Sequence, residues 1–392
     1  MEWLCRHYKT KQPVKVEMDE NQRWQVTPVS AEVELEIGPG DRELILAPGL
    51  MDMQINGYCG VDFNQPDQLS LEKIFSVVAA QRALGVAYFL PTITTGSFER
   101  MSRSLALIAE AMEDDNWGQS MPGIHMEGPY ISAEDGPRGA HPREEARPPD
   151  WEEFLRLQEA ARGNIRLVTL SPEYPEALDF IANLVKSDVI PAIGHTNATP
   201  EQIRQAVDAG AVMSTHLGNG SHAMVPRHPN YIWTQMSEDR LWAGLIADGF
   251  HLPPDVFKAM VRSKGEHRVV LVSDAVSVAG LPPGHYRTLG MEVELQAEGV
   301  VRLSGTPYLA GSALTLLRAV TNAQEMGEIP FAVAVDMASY HPQRLLAEHG
   351  GKTVGLESAG TFTVLERAAD QTLKVELLVM GHRRVYQAEQ SQ

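Results

Sequence analysis

The chain has 392 residues, 43% of them hydrophobic and 21% charged, an ordinary composition for a globular protein. That length exceeds one small core and suits two or three units, or one α/β barrel of about 250 residues with a small module beside it. The net charge of −18 speaks against nucleic acid or an anionic membrane as the main partner; it leaves room for an anionic metabolite held by a few local cations.

Cys5 and Cys59 are the only cysteines, so there is no disulfide framework and no CxxC metal motif, which favours a reducing compartment. The opening MEWLCRHYKTKQ has no apolar core of signal-peptide length. No run approaches the roughly 20 residues of a membrane span. The expectation is a cytoplasmic protein.

In chain order, residues 13–46 read as short strands broken by GPGD, with alternation in AEVELEI (31–37). From residue 49 the texture changes to short apolar runs. They are GLMDMQ (49–54), VAYFLPT (86–92), GIHME (123–127), IRLVTLS (165–171), VIPAIGH (189–195), AVMSTH (211–216), WAGLIAD (242–248) and VVLVSD (269–274). Amphipathic segments lie between most of them. ATPEQIRQAVDAG starts with Thr199 as N-cap and Pro200 in the first turn, and ends at Gly210. Strand and helix alternating eight times predicts a (β/α)8 barrel. A doubly wound open sheet is the runner-up, but no GxGxxG follows the first run. After the eighth run, GMEVELQAEGVVRLSGTPYLAGS reads as a β-hairpin inserted near 285–308. TFTVL and LKVELLVMG then restore the alternation. The expected organisation is an α/β protein, with a TIM-like barrel over 48–349 and a small discontinuous β-sandwich module formed by 1–47 and 350–392.

The runs end in Gln54, Thr92, Glu127, Ser171, His195, His216, Asp248 and Asp274, positions that converge at the carboxyl-terminal mouth of a barrel. A lone strand-end His or Asp is more often a capping group; several at one relative position carry more weight. Glu127 raises the sharpest question, because an unpaired carboxylate closing an apolar strand is costly to bury. Glu127, His195 and His216 form a 2-His-1-carboxylate set, the donor pattern of a catalytic divalent ion. The competing reading is a buried Glu–His hydrogen-bonded cluster. Asp274 is the matching acid/base candidate, against the duller reading of a helix cap.

APGLMDMQING, GIHMEGPYIS with GAHP, AIGHTNAT, STHLGN, GLIADGFH, VSDAVSVAG and LAGSALT stand in the order found in N-acetylglucosamine-6-phosphate deacetylases of the amidohydrolase superfamily. The chain resembles that family from about residue 47 to 345. The resemblance implies metal-dependent hydrolysis of the N-acetyl group of N-acetyl-D-glucosamine 6-phosphate, giving D-glucosamine 6-phosphate and acetate. It implies one divalent ion per subunit on Glu127, His195 and His216, zinc first, although Fe2+, Co2+ and Mn2+ accept the same ligands. Asp274 would be the catalytic acid/base, and His141 would polarise the acetyl carbonyl. Ala140, Asn219, Gly220, His251, Leu309, Ala310 and Gly311 match substrate-contacting positions. Arg227 resembles an arginine that reaches the sugar phosphate from the neighbouring subunit, which implies a homodimer. The duller readings are a solvated Arg227 and a structural His251.

Two departures stand out. Many amidohydrolases carry His-x-His at the end of the first strand, where a second metal binds; here those positions are Gln54 and Asn56, so a single-metal site is expected. THLGNGSHAMVPRHPN replaces the family's more usual THLYNAM, with Gly218 and Gly220 and with His222 and His228 in the loop. That change leaves the 6-substituent and the role of Arg227 open. The alternatives are a deacetylase of N-acetylgalactosamine 6-phosphate or of an unphosphorylated sugar, and a non-catalytic sugar-phosphate sensor. A D-aminoacylase or cyclic-amide hydrolase would normally carry a metal pair.

Overall fold

The computed structural model describes residues 2–30, 42–306, 308–349 and 360–389. Eight parallel strands, Leu50–Ile55, Val86–Thr94, Ile124–Glu127, Ile165–Leu170, Ile190–Ile193, Met213–Ser214, Trp242–Leu245 and Val269–Leu271, pair in sequence order. Each coincides with one of the eight apolar runs. The ring closes between first and last strands through a parallel bridge from Ile55 to Ala275 and the Asp274 N–H donating to Gln54 O at 3.0 Å. Every residue of the first three strands is buried. Strands covered on both faces cannot alternate apolar with polar, which is why these read as continuous hydrophobic runs.

Helices follow most of the strands, among them Leu71–Ala83 and Phe98–Ala111. The helix at Pro200–Ala209 starts as its sequence predicts. The Thr199 hydroxyl accepts from the Gln202 N–H, the Gln202 side chain returns the bond, and Gly210 ends the helix with φ 118°.

The insertion after the eighth strand is a three-stranded antiparallel sheet of Gly284–Thr288, Met291–Leu295 and Val301–Leu303. The expected hairpin is its second and third strands. The first, GHYRT, is missed because it carries almost no apolar residue to signal a buried face. Val293, Leu295 and Val301 pack on Val276, Val278 and Ala310, so the insert lies against the chain leaving Asp274.

The two chain ends meet in one seven-stranded sheet, where Phe362–Arg367 pairs antiparallel with Glu43–Pro48. Alternate residues divide between its faces. Leu46, Val364 and Leu377 join a local cluster around Trp24, while Ile45, Leu365 and Leu378 join the barrel core. The AEVELEI alternation and GPGD lie outside the described residues, as do residues 350–359. The sheet is tied to the barrel by the buried Tyr8, whose hydroxyl donates to Asp336 Oδ1 at 2.6 Å, and by Lys9 Nζ on Oδ2 at 2.8 Å. Tyr8→Phe removes a hydrogen bond to a charged acceptor and is expected to lower stability by about 1.5–3 kcal/mol, read as an earlier urea midpoint with the far-UV circular dichroism of the folded chain unchanged.

Candidate functional site

Glu127, at the end of the third barrel strand, is buried, and its Oε1 is the point on which the site converges. Gln54 Nε2 donates to it at 2.8 Å, and His216 Nε2 lies 2.9 Å and His195 Nε2 3.3 Å away. The two imidazole nitrogens stand 3.1 Å from each other. These side chains come from the ends of the first, third, fifth and sixth strands. The backbone is bent to bring them in: φ is 49° at His195, 28° at His216 and 50° at Asp274. Left-handed backbone costs a non-glycine residue on the order of 1–3 kcal/mol and gathers at functional sites.

The donor set fits a divalent cation. Ligand bonds of about 2.0–2.1 Å on a tetrahedron separate neighbouring donors by about 3.4 Å, close to the 2.9, 3.1 and 3.3 Å seen here. His195 Nδ1–H donates to Pro137 O at 2.8 Å, which leaves the Nε2 lone pair aimed at the carboxylate. A lone pair facing a carboxylate needs a proton or a metal cation between them, and a carbonyl behind a ligating imidazole is the usual way its tautomer is set. Burial opposes the charge on Glu127, but the two imidazoles outweigh it and hold the carboxyl well below its ordinary range. One ligand atom from each of Glu127, His141 and His195 also lies within 4.8 Å of the others, so His141 borders the same point.

Asp274 stands beside this cluster. Its Oδ1 accepts from Asn56 Nδ2 at 2.7 Å and from Gln54 Nε2 at 3.1 Å, so the Gln54 amide bridges Glu127 and Asp274. Burial, helped by the charge of Glu127, pushes the Asp274 carboxyl up to about 6. His141 lies edge-on to His195 with ring centres 4.3 Å apart, and burial followed by the neighbouring imidazole lowers its pKa to about 3, keeping the ring neutral. His251 Nδ1 is 2.6 Å from Asp248 Oδ2, while Asp248 Oδ1 accepts the N–H groups of Phe250 and His251 at 2.8 Å each.

No family model matches the chain. It is 34% identical to an N-acetylgalactosamine-6-phosphate deacetylase of Escherichia coli O157:H7, over 79% of this chain and 80% of that protein. It is 31% identical to an N-acetylglucosamine-6-phosphate deacetylase of Bacillus subtilis, over 86% of this chain and 81% of that one. The structure matches an N-acetyl-D-glucosamine-6-phosphate deacetylase of Mycobacterium smegmatis, solved as a mutant in complex with N-acetyl-D-glucosamine-6-phosphate. The TM-score is 0.80 at 28% identity, covering 95% of this chain and 94% of that one. The chain belongs to the N-acetylglucosamine-6-phosphate deacetylase family.

The residues matched to that family's contacts, and the loop histidines near them, occupy different settings. Leu309 bridges to Arg302 and the Ala310 N–H donates to Val301 O at 3.1 Å, so this stretch, Leu309 to Gly311, lies against the insert and reaches the Asp274 segment at Ser312, whose N–H donates to Asp274 O at 3.2 Å. Ala140 is exposed next to His141, and Asn219 Nδ2 is buried without a partner among the described residues. Arg227 and His228 are exposed on the loop leading to the helix at Tyr231, away from any ion pair among the described residues. His222 is half-buried, with Nδ1 3.0 Å from the Tyr231 hydroxyl.

Gly218 and Gly220 show how the altered loop fits. Gly218 holds φ at 94°, a conformation that would strain the family's aromatic, and a Cβ there would press on Met260 Cε at 2.8 Å. Gly220, at φ 57°, packs on the His195 ring: a Cβ there would lie 2.7 Å from Nδ1 and 2.9 Å from Cε1. Sequence reasoning missed this contact, together with Asp248 as the partner of His251, and Thr95 behind His141. Gly220→Ala should displace the His195 ring and weaken metal affinity roughly 10–100-fold, the usual effect of disturbing what orients a ligand. Metal retained per chain after dialysis against graded chelator measures it.

Proposed function

We propose that this protein hydrolyses the acetamide of N-acetyl-D-glucosamine 6-phosphate to D-glucosamine 6-phosphate and acetate. The observation that supports it most is one buried carboxylate oxygen facing two imidazoles, with a proton-accepting aspartate bonded to the same glutamine. A divalent cation held by Glu127, His195 and His216 would supply Lewis-acid polarisation and an acidified water. Asp274 takes a proton from the water as its oxygen attacks the acetyl carbon. Its raised affinity for that proton suits it to hold the proton and then release it to the departing sugar nitrogen. The C–N bond breaks, and the products are acetate and the free amine. Gln54 and Asn56 keep the Asp274 carboxylate in place through the attack. His141 presents a hydrogen bond to the acetyl oxygen as negative charge develops there.

One ion per chain is the expected complement. Gln54 and Asn56 stand where related barrels carry ligating histidines, and both amides are already hydrogen-bonded to Asp274. Neutral amides are poor zinc ligands; zinc is the first choice for the single site, with iron(II), cobalt and manganese compatible. Arg227 is the candidate for the sugar phosphate, contributed across a homodimer interface. Its exposure and freedom from ion pairs among the described residues leave it available to an anion. No helix among the described residues is long and apolar enough to cross a membrane, in keeping with the reading as a cytoplasmic enzyme of amino-sugar catabolism.

A second reading rests on a specific observation: the galacto-epimer enzyme of Escherichia coli is 34% identical to this chain. The deciding experiment compares kcat/KM on N-acetylglucosamine 6-phosphate, its galacto epimer and the two unphosphorylated sugars. A preference for the galacto epimer would move the assignment to it. Arg227→Ala is expected to raise KM for the phosphorylated sugar about tenfold or more while leaving the free sugar unaffected; equal effects on both would remove Arg227 from the phosphate site. Asp274→Asn should keep one ion per chain and lose turnover by about 10²–10⁴-fold. Activity surviving exhaustive chelation would sink the whole reading.

A further inference from the structure

We propose that Thr95 is a positioning residue: its hydroxyl donates to Nδ1 of His141 and thereby holds that ring's single proton on Nε2. This rests on the reading of His141 as the group that hydrogen-bonds the acetyl oxygen, since only an N–H can do so.

The argument follows from what each imidazole meets at Nδ1. Behind His195 is the Pro137 carbonyl at 2.8 Å. A carbonyl can only accept, so the His195 proton sits on Nδ1 and its Nε2 is free to ligate. Behind His141 is the Thr95 hydroxyl, also at 2.8 Å, and a hydroxyl can donate. The other acceptor within its reach is Glu127 O at 3.4 Å, long for an O–H···O bond, whose usual range is about 2.5–3.0 Å. The hydroxyl therefore keeps its proton and donates it to the lone pair of His141 Nδ1. Two adjoining imidazoles are set in opposite tautomers, one a ligand and one a donor. With its proton on Nε2, His141 would not bind a cation there, which favours His216 over His141 as the third member of the set with Glu127 and His195.

The hydroxyl is held in a built seat. Thr95 is buried, and the Arg100 guanidinium donates to Thr94 O at 2.6 Å and Thr95 O at 2.8 Å, with its other amino group on Asn64 O at 2.9 Å. Gly128, the residue after Glu127, makes the space: a Cβ there would lie 2.1 Å from Thr95 Oγ1. Thr95, Arg100 and Gly128 thus share one purpose that the strand pattern does not reveal.

The test uses the zinc-loaded full chain with N-acetylglucosamine 6-phosphate as substrate. Thr95→Val keeps the shape and loses the hydroxyl, Thr95→Ser keeps the hydroxyl, and His141→Gln is the reference. Thr95→Val should lower kcat roughly 10–100-fold, the scale for losing a group that orients an active-site imidazole, with KM and metal content unchanged, and Thr95→Ser should recover most of the rate. Nitrogen NMR of histidine-labelled wild type should find the His141 proton on Nε2. A proton found on Nδ1 overturns the proposal without any variant. So does a Thr95→Val enzyme at wild-type rate while His141→Gln is impaired, a Thr95→Ser enzyme as poor as Thr95→Val, or metal loss in Thr95→Val. If His141→Gln itself turns over normally, the failure lies in the reading of His141.

Discussion

The buried charge of Glu127 is the constraint on which the rest of this barrel mouth depends. A carboxylate at the end of a fully buried strand must find compensating groups or forgo its charge. Here Gln54, His195 and His216 close on the same oxygen from three other strands, and the main chain takes left-handed conformations at both histidines to allow it. Strain of that kind persists only where the surrounding packing over-determines it. The parallel barrel supplies such packing, because every strand end is gripped by two neighbours.

Beneath the cluster the barrel interior is more polar than the branched apolar filling usual in this fold. His125 Nε2 and Thr169 Oγ1 are 2.8 Å apart, and Thr169 meets Thr215 at 2.7 Å. Burial lowers the His125 pKa to about 4 and raises that of Asp52 to about 7. Asp52 Oδ1 accepts from the backbone N–H groups of Gln54 and Ser273 at 3.2 Å each. These bonds fix the residues immediately before Asp274 and His216, so the polar layer works as a floor that limits how far the site can shift.

The elements around the barrel differ in how they bear on the site. The three-stranded insert packs on Val276 and Val278 and braces the segment leaving Asp274. The seven-stranded sheet docks through Tyr8, Lys9 and its own apolar face, bracing the start of the first strand. The altered loop after His216 does two jobs: Gly220 seals the face of His195, and the following exposed stretch carries Arg227. The glycine in place of the family's aromatic at Gly218 accompanies a loop path that brings Gly220 against the His195 ring.

Much of this was written along the chain. Parallel strands buried on both faces must be continuous apolar runs, so all eight could be read directly. Each candidate ligand closes one of those runs, so Glu127, His195, His216 and Asp274 were legible as a set. The tertiary structure alone decided how they are used. Gln54 reaches Asp274 across 220 residues and Thr95 reaches His141 across 46, and no local periodicity encodes such pairings. Which nitrogen of an imidazole carries its proton depends on whether a carbonyl or a hydroxyl stands behind it, and that neighbour is chosen by the closure of the barrel.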